Sequence, residues 1–463
     1  MKRRGKPGVW QRVVFVLACA ATVVALFYKI EDYRGAAAWD RYRREAEQRG
    51  VKIEFRDFIP VPVPEEENFA AIPELKALSS HRGQEAWANL KKQLPPEGCI
   101  SRLPTQIQVS GQPLDLGPAR DELLKAGFIA KRTDNAAADI LAGLERSEPV
   151  LDPLRVALSR PYAQLVVEDQ DRGMGSSLYQ SSGDISLSRV FKFEALALLE
   201  TGDHERALTD VMVQEKLSQM YQPEPALLPA MLRIIILDQA LAVIREGINL
   251  NEWTDGDAAE IEKSLADVNF WADCVQGFAS ERAQTNLLLD QIKSGSRSDF
   301  PRLLLGPDTS QWRRWWIELM PQGWIDQNKV AINQWYDRLL ADPTMSQTGI
   351  PTHFPGPYTF IAAACARFMG GDYAVAGASQ NQMNVCRLAL ALRRYCIRHG
   401  HYPDRLDELV PEFIPQVPAL LGKDAGPQPY RRTSYGAVLG FESWVLRNPA
   451  AISAPAATAP GAL

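Results

Sequence analysis

The hydrophobic pattern opens with one uninterrupted apolar run, Val13–Tyr28, which reads VVFVLACAATVVALFY and holds no charge. As a helix it spans about 24 Å. Trp10, Phe27 and Tyr28 sit at its edges, where amphipathic rings favour the headgroup zone, and the run reaches the low end of a bilayer span. Beyond it, apolar positions recur at helical spacing along most of the chain. Ala36–Gly50 is rich in helix formers and ends in a glycine suited to a C-cap. Pro60, Pro62 and Pro64 alternate with valines, which excludes helix and favours an extended stretch. That stretch is either a stiff spacer or a strand held against the body; Phe58, Ile59 and Phe69 favour the second, since they would otherwise be exposed.

Asp115–Leu144 returns to helical spacing, Pro149–Arg172 holds a helical turn or two, and Gly173–Gly183 reads as a flexible polar loop. Thr105–Ser110 is a short alternating piece. Val190, Phe193, Ala197 and Leu198 begin a helix that Gly202-Asp203 breaks, and Ala207, Leu208 and Val211 begin the next. Leu227–Ile244 is a third, very apolar helix. Arg233, Asp238 and Gln239 interrupt it, and at roughly 2.5–3.5 kcal/mol per charge near mid-bilayer they favour a buried core helix over a second span. Ala258–Lys293 predicts one long helix or two. Gln380–His399 is strongly amphipathic, with Val385, Leu388, Ala389, Leu392 and Tyr395 on one face and Gly400 as its cap. Tyr435–Trp444 suits a hairpin, and the last residues are rich in alanine and proline.

Charge adds a direction. Lys2, Arg3, Arg4, Lys6 and Arg12 precede the apolar run, and no acid appears before Glu31. The basic flank should stay cytoplasmic and the rest lie outside. A cleaved signal peptide, ending near Ala36-Ala37-Ala38, and a lipoprotein site at Cys19 are the alternatives. Charged residues separate the alanines from the apolar core, and the run continues nine residues past Cys19; both facts favour an uncleaved anchor. The net charge of −5 includes that basic tail. No dense basic patch follows it, which argues against nucleic-acid binding.

Three resemblances follow from specific residues. Trp39 and Tyr42, then Arg49-Gly50, then Phe58–Ala70 with its Pro-x-Pro-x-Pro-acid-acid-x-Asn-Phe-Ala core, resemble the opening of a group of uncharacterised bacterial single-anchor membrane proteins. That likeness implies architecture, with no assigned activity. Ala197-Leu198, Gly202-Asp203 and Ala207-Leu208 are similar to the helical hairpin of tetratricopeptide-type repeats; the motif occurs once, so no solenoid is expected. Gly400, Tyr402-Pro403, Leu406, Leu409-Val410-Pro411 and Pro415, followed by Tyr430-Arg431, resemble the end of pseudopilin-like domains. Leu420-Leu421-Gly422 stands where that pattern would have Asp-Pro, which removes the calcium site the family would imply.

Catalytic signals are sparse. Among His81, His204, His353, His399 and His401 no pair forms a zinc helix. His399 and His401 beside Asp404 are a weak metal candidate, because a site needs three or four ligands and the Gly400 turn already explains the spacing. Five cysteines lie outside the apolar run (Cys99, Cys274, Cys365, Cys386, Cys396), widely spread and without a Cys-x-x-Cys; buried small hydrophobes are the simplest reading. Trp312, Trp315, Trp316, Trp324 and Trp335 crowd one region beside Arg313 and Arg314, as core fillers in preference to a membrane-surface patch. No nucleophile elbow, phosphate loop, kinase set or cofactor motif is legible.

The sequence therefore predicts a mainly α protein: a basic tail (1–12), a transmembrane helix (13–28) engaging the lipid bilayer, a juxtamembrane helix (29–50) and an extended Pro-rich segment (51–80). A helical domain with a tetratricopeptide-like hairpin (81–379), a small α+β C-terminal unit (380–448) and a disordered tail (449–463) follow. The expected role is a binding or scaffolding protein of the bacterial envelope, anchored in the inner membrane with an envelope protein as partner. An envelope hydrolase with a site near His353 or His399, and an accessory of a type II secretion or pilus-like system, are the other readings.

Overall fold

A computed structural model of the chain describes residues 9–79, 84–100, 103, 113–166, 176–224, 226–294, 319–341, 354, 359–367, 372–421, 426–434, 436–440 and 444–447. The protein is mainly helical, with a small three-stranded antiparallel sheet near its C-terminus. It divides into two compact units, neither of them a contiguous stretch: Met1–Ile59 with Phe278–Gly371, and Pro60–Gly277 with Asp372–Leu463.

The first unit is built on α1 (Val9–Gln48), a single 40-residue helix. Its N-terminal part packs against nothing: residues 9–27 are all exposed, and the window long and apolar enough to cross a membrane is 0% buried. From Glu31 onward one side of the same helix becomes a packing face, with Glu31, Gly35, Tyr42 and Ala46 buried. That face meets α13 (Gln322–Ala341), against which α14 (Phe360–Arg367) also packs. Gly50 ends the helix region with φ 70°, as a left-handed C-cap requires. Tyr42, Ala46 and Ile53 form a small apolar cluster covered by Trp39, Val51 and Val330.

The second unit is organised on three mutually packed helices. They are α8 (Ser176–Glu200), α9 (His204–Gln219) and α10 (Leu227–Leu250). Between α8 and α9 the chain turns on Gly202, φ 81°, and Asp203 caps α9 by accepting the Arg206 amide. The apolar window of α10 is 78% buried, so its hydropathy is that of a core helix; nearly every side chain from Ala240 to Gly247 is enclosed. Shorter helices α3 (Gln84–Lys91), α4 (Glu97–Ile100), α5 (Gly117–Lys125), α6 (Ala136–Leu144) and α7 (Glu148–Val156) precede them. The Ala258–Lys293 stretch resolves into α11 (Asp255–Leu265) and α12 (Phe270–Ser294). A Thr254–Asp257 capping box opens α11.

The amphipathic C-terminal helix α15 runs Asp372–His399, eight residues longer at its start than Gln380–His399, and Gly400 closes it at φ 78°. The sheet orders β1 (Tyr430–Thr433), β2 (Gly436–Leu439) and β3 (Trp444–Arg447) side by side.

Two expectations need correction. Ser176–Gly183 belongs to α8 and is not a loop. Gly183 lies directly against Leu78, and Asp184 is buried; packing of this kind extends a helix through residues of poor intrinsic propensity. Residues 51–79 are not simply extended either, since three 3₁₀ turns and α2 (Pro73–Ser79) punctuate them. The proline run itself, 59–64, carries no regular structure. Thr105–Ser110, His81, His353, Trp312, Trp315, Trp316 and the 449–463 tail lie outside the described residues.

Candidate functional site

Four places gather polar chemistry. The first is the seam where α1 leaves its apolar segment. Trp324 Nε1 donates to Glu31 Oε2 at 3.1 Å, Gln327 Nε2 donates to the same oxygen at 3.2 Å, and Arg34 holds Glu31 Oε1 at 2.8 Å. Asp32 accepts the Gly323 amide at 2.9 Å. Both acids thus lie at the start of α13, where unpaired amides and the helix dipole favour negative charge. Gly35 and Gly323 cross so closely that a Cβ on either would overlap the other strand of backbone. Tyr28 donates to the Leu319 carbonyl, and Phe27 packs edge-on against Trp324, ring centres 6.3 Å apart. Further along, Arg282 and Arg49 reach Asp337 at 3.2 and 2.8 Å, and the Tyr42 hydroxyl donates to it at 3.0 Å. Burial, then the Asp337 charge, pushes Tyr42 up to about 12. Trp324 and Trp335 are buried, as core rings.

The second place is an ionic knot inside the α7–α8–α9 packing. Arg155 bonds Glu194 at 2.7 Å, Asp210 at 3.0 Å, Glu148 at 2.6 Å and Asp152 at 2.8 Å. Arg206 adds a second cation, 3.0 Å from Glu194. Glu194 and Asp210 are sealed, with side-chain exposures of 1% and 0%. Burial raises both carboxyls, and the neighbouring Glu194 charge raises Asp210 further. Burial opposes the Arg155 charge, but Asp210, Glu194 and Glu148 outweigh it and hold the guanidinium firmly protonated. Both carboxylates face the Arg155 guanidinium and are closed to solvent. They latch α7 to the hairpin.

Other ionisable groups are enclosed nearby in the same helices. Asp184 accepts the Tyr221 hydroxyl, and burial pushes it up to about 7. Burial likewise takes Glu215 to about 7 and Lys192 down to about 8.

The third place is the C-terminal histidine pair. His399 and His401 pack with tilted rings against Tyr395, ring centres 4.3 and 5.9 Å away, and against each other at 6.4 Å. Asp404 is engaged by Arg432 at 2.6 Å, and His401 Nδ1 lies 3.0 Å from the Tyr402 carbonyl. The trio does not converge, and among the described residues no group of three or more His, Cys, Asp or Glu side chains has metal-binding geometry. Cys99, Cys274, Cys386 and Cys396 are buried free thiols.

The fourth is a cleft of about 860 Å³ beside α5, whose walls carry Asp115, Arg120, Asp121, Arg132 and Glu200 among others. Its charges are largely spoken for. Arg120 pairs with Asp121 at 2.9 Å, and Asp115 accepts the Gly117 amide at 2.9 Å. Burial raises Glu200, helped by Glu246 and Asp115.

Of these features, sequence reasoning located the histidines and the apolar run. It missed the Glu31–Trp324 seam and the Arg155 knot, whose partners lie 293 and up to 55 residues apart. The nearest signal was the pair of acids following the apolar run. No family model, curated protein or solved structure matches the chain.

Proposed function

We propose that the protein is a membrane-tethered helical binding or scaffolding protein whose folded units lie on the extracytoplasmic face. The observation that carries this reading is the division of α1. Residues 9–27 are exposed along their whole length, while Glu31, Gly35, Tyr42 and Ala46 of the same helix are buried in the first unit. Val13–Tyr28, sixteen uncharged residues, rises about 24 Å as a helix, the low end of a bilayer span. Leaving such a surface in water is unfavourable at roughly 25 cal/mol per Å²; a bilayer removes the cost. The basic flank before Val13 supports the outward orientation.

A binding role is supported by what the polar groups do. The enclosed acids are committed to latching helices, and the α5 cleft is open, mixed in charge and short of apolar lining. That lining suits a polar segment of a partner protein better than a small apolar ligand. Protease treatment of spheroplasts carrying the full chain with a C-terminal tag tests the orientation. The tag is expected to be digested while the N-terminus is protected. A protected tag overturns the proposal.

A further inference from the structure

The apolar surface of α1 does not end where the uncharged run ends. Leu26, Ile30 and Tyr33 follow at i, i+4 and i+7, which places them on one side of the helix, and they are 56%, 55% and 77% exposed. Glu31 and Gly35, on the opposite side, are the residues packed against α13. On that packed side a second apolar side chain is exposed: Leu319, 58% in contact with solvent, three residues before α13. Its carbonyl accepts the Tyr28 hydroxyl, so Leu319 lies level with the last residue of the uncharged run. Helical side chains lean toward the N-terminus, which sets Leu319 at or below the height of Tyr28 itself. Phe27 and Trp324 pack together at the same level.

These heights can be compared with a bilayer. The polar layer outside the hydrocarbon core is about 5–8 Å thick on each side. Residues 29–33 of a helix rise about 7.5 Å. With Tyr28 at the hydrocarbon boundary, Ile30 and Tyr33 fall within the polar layer, and Leu319 reaches its inner edge. A body attached through a flexible linker could float clear of the lipid. Here the helix is continuous and is fixed to α13 by the Gly35–Gly323 crossing and the Glu31 and Asp32 bonds.

We propose that Leu319, at the entry to α13, is a second lipid-contact point, seated in the headgroup layer of the bilayer that α1 crosses. Leu319 enters the lipid on one side of α1, and Ile30 with Tyr33 enter on the other. The first unit is thereby held against the membrane at two places and takes a fixed tilt. The inference rests on the reading of α1 as a membrane tether.

The test places an environment-sensitive fluorophore on introduced cysteines in the full chain, with Cys19→Ser and Cys365→Ser leaving only the buried native thiols Cys99, Cys274, Cys386 and Cys396. The positions are Val23→Cys, Tyr33→Cys, Leu319→Cys and Glu47→Cys. The chain is reconstituted into phosphatidylcholine–phosphatidylglycerol vesicles that carry spin-labelled lipids quenching at shallow or deep positions. Val23 should be quenched by the deep probe. Leu319 and Tyr33 should be quenched by the shallow probe severalfold more than Glu47, which lies about 28 Å further along α1 than Tyr28. If Val23 is quenched but Leu319 matches Glu47, the tether stands and the second contact is overturned. If Val23 is not quenched, the tether reading fails and takes the second contact with it.

Discussion

At the scale of single residues, enclosed carboxyls make the clearest demands. Among the described residues Asp184 has one donor, the Tyr221 hydroxyl, and its other oxygen is buried without a hydrogen-bond partner. Burial raises its pKa to about 7, well above the ordinary carboxyl range near 4. Between those values the folded chain holds a proton that the unfolded chain has released. Stability from this group is therefore fully present below pH 4, falls as pH rises toward 7 and stays low above it. Asp184→Asn should flatten that part of the profile and, at pH 8, exceed the wild type by about 1–3 kcal/mol. Thermal melts from pH 4 to 8 check this, and parallel profiles would contradict it. Gly323 makes a steric demand instead. Gly323→Val drives a branched side chain into the α1 backbone at Glu31 and should cost at least about 3 kcal/mol. Trp324 emission should shift to the red as its bond to Glu31 breaks.

At the scale of elements, the Arg155 knot joins three helices through one guanidinium. Arg155→Ala leaves Glu194 and Asp210 enclosed without their main cation, and should cost about 3–5 kcal/mol. Adding Asp210→Asn should recover part of that loss in urea unfolding of the detergent-solubilised chain; no recovery would show that the knot's charges are not what matters. The Pro-rich stretch is held in the same manner, by paired polar groups. Asn68 Nδ2 donates to the Gln164 carbonyl at 2.8 Å, Gln164 N returns a bond to Asn68 Oδ1 at 2.9 Å, and Val63 N donates to Gln164 Oε1 at 3.0 Å. Of the two readings open for that stretch, contact with the body is seen at Val63 and Asn68, but without a strand, and Ile59 stays exposed. Elements with strong local signals were legible in advance: the uncharged α1 run, the α8–Gly202–α9 hairpin, the charges that mark α10 as core, and Gly400. What was not legible depends on partners distant in sequence. Nothing near Gly35 announces Gly323, nothing near Asn68 announces Gln164, and α8 begins at Ser176 among serines that read locally as loop.

At the scale of the whole molecule, the two units share one chain but differ in what they bury. The first unit encloses aromatic rings and paired polar side chains along α1 and α13, with Trp324, Trp335 and Tyr336 beside Asp326, Asn328 and Lys329. Lys329, for example, meets Asp290 at 2.8 Å and lies 3.9 Å above the Trp39 ring. The second encloses the apolar α10 and the acids around it. The expected orientation and the second lipid contact are properties of this scale, and the protease and quenching experiments read them directly.

The unbroken passage of α1 from its exposed segment into its packed one has a mechanical meaning. A helix turns about 100° and rises about 1.5 Å with every residue. Because α1 is clamped at Glu31, Asp32 and Gly35, the azimuth and height of the first unit are set by counting residues, as a thread sets the advance of a screw. One residue inserted after Tyr28 would swing the unit through more than a quarter turn. Seven would lift it about 10 Å and bring it back nearly to its starting bearing. On the proposed reading of α1 as a tether, the span and the first unit are thus in phase, and the bearing of that unit on the membrane surface is written in the length of a single helix.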